Sequence, residues 1–151
     1  MKLYSAFVLN RRTYAVPIEL VQEVVMPLPV APLPLAPTCV EGLINLRGKI
    51  TTSILLDVLF NEREGAENRE RMNVVCRLKS GDVSLRVDTV EEVAVIEFDE
   101  IGPVPESIPW PLSEFLSGVC MKEEKLLCII SLDAIEAHLL SESTEMKEKI
   151  S

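Results

Sequence analysis

Short apolar runs of five to eight residues, rich in Val, Ile and Leu and bounded by turn residues, recur along the chain and predict strands. Leu3 to Leu9 and Thr13 to Ile18 flank Asn10-Arg11-Arg12, which reads as a hairpin turn. Met72 to Lys79 and Val83 to Val87 flank Ser80-Gly81-Asp82, where glycine tolerates the positive φ of a tight turn. Val40 to Arg47 and Lys49 to Leu55 flank Gly48 in the same way. Helical spacing is confined to about Leu56 to Asn61 and to Leu132 to Leu140. In the latter, Leu132, Ile135, Leu139 and Leu140 share one face, and Asp133 with Glu136 resembles a capping box.

The pattern repeats. Ser5 to Val25 aligns without a gap on Val74 to Ala94 at an offset of 69, ending on Val21-Gln22-Glu23-Val24 against Val90-Glu91-Glu92-Val93. Gly42 to Phe60 aligns on Gly118 to Glu136 at an offset of 76, keeping Gly42/Gly118, Lys49/Lys125, Ile54/Ile130, Leu56/Leu132 and Asp57/Asp133. The second half therefore carries seven extra residues between its blocks. Nine of the ten prolines fall in the two connecting segments, Met26 to Glu41 and Val95 to Ser117, and predict stiff crossovers that offer no edge for pairing. The resulting expectation is a mainly β unit over residues 3–140, made of two pseudo-symmetric small barrels. One half spans roughly 3–68 and the other 72–140; strands are free to cross between them, and a charged tail follows at 141–151.

Composition narrows the function. With 48% apolar residues the chain has enough surface to bury and is not disordered. The longest apolar run, Val24 to Pro37, contains five prolines and is too short to span a bilayer. Asn10-Arg11-Arg12 interrupts the N-terminal apolar stretch where a signal peptide would need to continue. Four cysteines without close pairing fit a cytoplasmic setting, and three lie within strand-like runs as small buried hydrophobes. The net charge of −9, with seven acids and no base from Asp88 to Glu106, disfavours nucleic acid and direct membrane insertion.

Catalytic groupings are missing from the sequence. His138 is the single histidine, no glycine pair forms a phosphate cradle, and no metal cluster is spaced for binding, so no enzyme, cofactor or metal is expected. Asp57 and Asp133 read as first-turn helix residues. What remains is surface, and two partner sites are natural, a groove between the barrels near Ile18, Val21, Val24, Val90 and Val93 and the outer ends of each barrel; the competing reading places these valines in the core. One position breaks the internal symmetry: Arg47 corresponds to Glu123. A Glu23–Arg47 ion pair on the first half is the hypothesis that follows, whereas Glu92 and Glu123 would repel.

Tyr14 to Val25, the proline-rich loop, the block Gly42-Leu43-Ile44-Asn45-Leu46-Arg47-Gly48 and the segment Leu85 to Val93 resemble the CheW family of chemotaxis coupling proteins over residues 3–140. The resemblance implies two five-stranded Src-homology-3-like barrels. It also implies a non-enzymatic adaptor that couples the cytoplasmic tips of chemoreceptors (methyl-accepting chemotaxis proteins) to the regulatory domain of a CheA-type histidine kinase. Carried over by position, Ile18, Val21, Glu23, Val24, Asn45, Arg47, Val90 and Val93 become receptor-binding candidates, and Gly42 and Gly48 kinase-binding or structural signature positions. The chain departs from the family where Thr52 and Leu55 replace a usual proline and acid, which allows a divergent scaffold of a non-flagellar chemosensory system. A cytosolic double barrel that binds a small ligand is the alternative from another class.

Overall fold

The computed structural model describes residues 1–62 and 71–142 in full and the backbone of the last helix to Ile150. The charged linker at 63–70 and the side chains of the tail beyond 142 lie outside the described residues. Eleven strands are present among the described residues: β1 (Lys2–Leu9), β2 (Arg12–Pro17), β3 (Val21–Val25), β4 (Val30–Ala31), β5 (Val40–Leu46), β6 (Lys49–Leu55), β7 (Met72–Leu78), β8 (Gly81–Val87), β9 (Thr89–Ile96), β10 (Leu116–Lys122) and β11 (Lys125–Ile130). Helix α1 covers Leu56–Leu59, and α2 covers Leu132–Ile150. Single 3-10 turns occur at Ile18–Leu20, Phe98–Glu100 and Leu112–Phe115.

Three hairpins close through two residues, Asn10-Arg11, Arg47-Gly48 and Glu123-Glu124, all with positive φ. That backbone matches the twist of the flanking strands and explains why such short loops suffice. The fourth hairpin turns one residue earlier than expected, at Lys79-Ser80, and Gly81 opens β8. Helix α2 is not started by an Asp133–Glu136 capping box. The Ser131 hydroxyl accepts from the Ala134 N–H at 3.2 Å, and Glu136 instead accepts from the Ser80 N–H and hydroxyl at 2.7 and 2.6 Å, tying the helix to a hairpin tip.

The strands form two sheets, ordered β10-β11-β2-β1-β9 and β3-β7-β8-β6-β5-β4. Neither half of the chain closes its own barrel. The first hairpin, β1-β2, lies between β9 and β11 of the second half, and β7-β8 lies between β3 and β6 of the first. The turn Ile18–Leu20 is the cause: it steps the chain off the first sheet, so β3 enters the other sheet beside β7. The exchange is reciprocal. Val21 faces Cys76 and Val24 faces Val74, while the residues 69 further on or back, Val90 and Val93, face Phe7 and Ser5. A parallel pair completes each exchange, β6 with β8 and β11 with β2.

Each barrel is closed by the crossover that follows its edge strand. After β3, Val30 and Ala31 pair with Ile44 and Leu43, so the first crossover does contribute an edge strand. After β9, Gly102 bridges Val119 at the equivalent place. The repeated glycines exist for this closure. A Cβ on Gly42 would sit 2.3 Å from the Ala31 carbonyl oxygen, and one on Gly118 would sit 2.8 Å from that of Gly102.

The apolar excess does not divide into two barrel interiors. The larger buried cluster lies between the sheets and draws on both, with Phe7, Tyr14, Val16 and Cys128 from one and Ile54, Val74, Cys76 and Leu85 from the other. A stack of Phe7, Tyr14, Phe60 and Phe115, with ring centroids 5.4–5.8 Å apart, fills one end of it. A smaller cluster of Tyr4, Ala6, Ala15, Ile96, Cys120, Leu127 and Ile129 gathers all five strands of the first sheet on one face and is the inside of that barrel.

Gly42→Ala should cost about 2–3 kcal/mol in urea unfolding, because the new methyl meets backbone rather than a yielding side chain. Gly118→Ala should cost less, in keeping with its longer approach.

Candidate functional site

The signature block occupies β5 and its turn into β6. Asn45 Oδ1 accepts from the Gly48 N–H at 2.8 Å, fixing a turn in which Arg47 and Gly48 have φ of 52° and 86°. This conformation aims Arg47 outward, and its guanidinium meets Glu23 Oε2 on β3 at 3.0 Å. The ion pair expected from the break in symmetry is therefore formed. The Arg47 side chain is 80% exposed and that of Glu23 is 23% exposed, so the pair presents a cation on a partly buried acid.

Sequence reasoning missed the second clamp on the same turn. Lys49 Nζ lies 2.8 Å from Asp82 Oδ2 on β8, and Gln22 Nε2 donates to Asp82 Oδ1 at 3.3 Å. The bond from Lys49 holds the Asp82 carboxyl below its usual range. Burial, with the charge of Asp82 behind it, pushes the Cys76 thiol up to about 12. Repetition of Lys49 as Lys125 was the available signal, and Lys125 does pair with Glu91 on β9 at 3.5 Å.

The remaining candidates do not converge on one groove. Val21 and Val90 are half-buried and pack against the shared core, filling the space in which the groove was expected. Ile18 is half-buried on the 3-10 turn, whereas Val24 and Val93 are exposed on β3 and β9, edge strands of different sheets. Val93 lines an open recess of about 620 Å³ with Glu91, Glu92, Glu123 and Lys125. Glu92 and Glu123 thus share one recess where their first-half counterparts, Glu23 and Arg47, attract. Gly42 lies under the Ala31 backbone and is structural in its contacts.

A second recess, of about 480 Å³, opens between the first proline-rich crossover and the β7-β8 tip and is lined by Leu33, Leu35, Val40, Thr52, Val83 and Leu139 among others. It contains one of the two positions that depart from the family pattern, Thr52. The other, Leu55, ends β6 and is half-buried. Among the described residues, no group of three or more His, Cys, Asp or Glu could hold a metal ion, and no helix is long and apolar enough to cross a membrane.

Comparison with known proteins places the fold among known relatives. A family profile described as the CheW-like domain matches residues 4–139. The chain is 28% identical over 130 residues to the chemotaxis protein CheW of Rhizobium meliloti, covering 86% of this chain and 84% of that one. It is 26% identical over 132 residues to the protein of the same name from Helicobacter pylori, covering 87% and 79%. The crystal structure of the scaffolding protein TtCheW from Thermoanaerobacter tengcongensis superposes with a TM-score of 0.78 at 30% identity, covering 87% of this chain and 84% of that one.

Two outcomes test the site's electrostatics. A double-mutant cycle on Glu23→Ala and Arg47→Ala should give a coupling under about 1 kcal/mol that shrinks with added salt, as an exposed pair requires. Asp82 is held below its usual range, so its contribution to stability is full above the unfolded value near ~4 and is lost as pH falls through the folded value. The stability gap between the native protein and Asp82→Asn, measured by urea unfolding, should therefore be open at neutral pH and closed by acid.

Proposed function

The chain belongs to the CheW-like domain family, and on that footing we propose that it is a non-enzymatic chemotaxis adaptor, coupling chemoreceptor cytoplasmic tips to the regulatory domain of a CheA-type histidine kinase in the cytoplasm. The observation that carries the proposal is the signature turn itself. Its residues spend little of their side-chain surface on the core, and both ion pairs hold it in one exposed conformation. A turn clamped at Glu23 and Asp82 keeps Arg47 and the 63% exposed Ile50 in place before a partner arrives, which lowers the ordering cost of binding.

Within this reading Glu23, Val24, Asn45 and Arg47 form the central receptor-binding contact. Val93 is a contact from the other barrel, and Ile18, Val21 and Val90 set the position of the strands that carry them. A receptor helix laid along this surface would follow a recurrent mode of recognition. Gly42 and Gly48 serve through the backbone, Gly42 by letting β4 cross and Gly48 by closing the turn.

Pull-down with a receptor signalling-tip peptide and a CheA regulatory domain tests the proposal. Binding to both is expected, with Arg47→Glu weakening the receptor arm at least tenfold while the thermal transition moves by no more than a degree or two, roughly the shift of a sub-kcal/mol change. Failure of both arms alongside saturable binding of a metabolite would replace the adaptor with a ligand-binding double barrel. A large fall in thermal stability on Arg47→Glu would make that residue structural.

A further inference from the structure

The insides of the two barrels are chemically opposite. Register places Asn73 opposite Arg86, Val75 opposite Ser84, Ser53 beside Ser84, and Thr51 opposite Ile44, so these side chains share the inner face of the β3–β8 barrel. The residues at the equivalent positions of the other barrel are Tyr4, Ala6, Ala15, Ile129, Leu127 and Cys120, its apolar inside, with Pro17 in the place of Arg86. Four fully buried polar residues, Thr51, Ser53, Asn73 and Ser84, thus stand where the twin has Leu127, Ile129, Tyr4 and Ala15.

Part of this polar inside is satisfied by the protein. Asn73 Nδ2 donates to Ser84 Oγ at 2.8 Å, the Ser53 hydroxyl donates to Glu41 Oε1 at 3.0 Å, and Arg86 reaches the same carboxylate at 3.3 Å. On this inner face three buried atoms have no protein partner among the described residues: Thr51 Oγ1, Asn73 Oδ1 and Arg86 Nε. Most buried polar atoms in folded proteins are paired with protein or ordered water, so three together on one inner face call for a partner that the chain does not supply.

We propose that the inside of the β3–β8 barrel is a hydrated polar core, in which an ordered water accepts from Arg86 Nε–H and donates to Asn73 Oδ1, and a second serves Thr51. Asn73 and Arg86 are directly opposed on neighbouring antiparallel strands, so their side chains leave the sheet on the same face as neighbours. The chemistry selects water over an ion. A cation would face the Arg86 guanidinium, and an anion would face Asn73 Oδ1 and the Glu41 carboxylate; a neutral molecule that both donates and accepts meets neither objection. Exchanging the amide O and N of Asn73 leaves the same need, since one of its two polar atoms is still unpaired beside Arg86.

Water-selective NOE and ROE spectroscopy on the intact, isotope-labelled protein tests this. Long-residence water cross-peaks are expected at the Asn73 side-chain amide and at the Arg86 Nε–H, with none at the backbone amides of Tyr4 and Ala15 in the twin barrel. Asn73→Leu should abolish the Arg86 cross-peak, whereas Ser84→Ala should keep it. Absence of long-lived water in the native protein, or equal water signals in both barrels, would overturn the proposal. So would a high-resolution crystal structure in which Arg86 Nε and Asn73 Oδ1 each bond directly to protein. The native-protein measurements stand even where a variant fails to fold.

Discussion

Reciprocal exchange of hairpins between the two halves is the constraint on which the rest of the structure depends. Because β1-β2 is held between β9 and β11, and β7-β8 between β3 and β6, neither half has a complete sheet without the other. The outer faces of both sheets are then forced together, and the largest buried cluster forms between the barrels rather than inside them. That shared core takes up Val21 and Val90, leaving the exposed ends of β3 and β9 and the clamped turn at Arg47 as the surface available to partners.

Within this symmetric frame the side chains are unequal. The aromatic stack of Phe7, Tyr14, Phe60 and Phe115 corresponds, by the same offsets, to Cys76, Val83, Glu136 and Cys39. Bulk is thus concentrated at one end of the shared core, and the recess beside Val83 opens where the smaller set stands. The seven extra residues of the second crossover act in the same direction, since they bring Ile108 and Leu112 into the core, whereas Leu33 and Leu35 of the first crossover stay exposed. Duplication set the backbone, and divergence of volume and polarity made the two barrels different objects.

The repeat, the strands and the Glu23–Arg47 pair were legible because each leaves a local trace: alternation, a fixed offset, and a charge that breaks it. Sheet membership was not, since a hairpin shows the same alternation whether it pairs within its half or across halves. The burial of Thr51 and Ser53 was illegible for a related reason. Alternation along β6 does not say whether its polar side meets solvent or a barrel interior, and here the shared core takes Ile54 and Leu56 while the barrel encloses Thr51 and Ser53. The Lys49–Asp82 and Arg86–Glu41 pairs join strands that only the tertiary fold brings together, so the repetition of Lys49 as Lys125 marks the lysine but not its partner.

The exchanged hairpin also sets the order in which the molecule is able to assemble as it is synthesised. Thr13 pairs with Leu127, more than a hundred residues later, so the first hairpin leaves the ribosome with both edges unpaired. At a synthesis rate of about 5–20 residues per second, it waits roughly 6–23 s for its sheet. A two-stranded ribbon is marginal in water on its own. Until then the charges of Arg11 in its turn and Arg12 at the start of β2 are what discourages its open edges from pairing with a neighbouring chain.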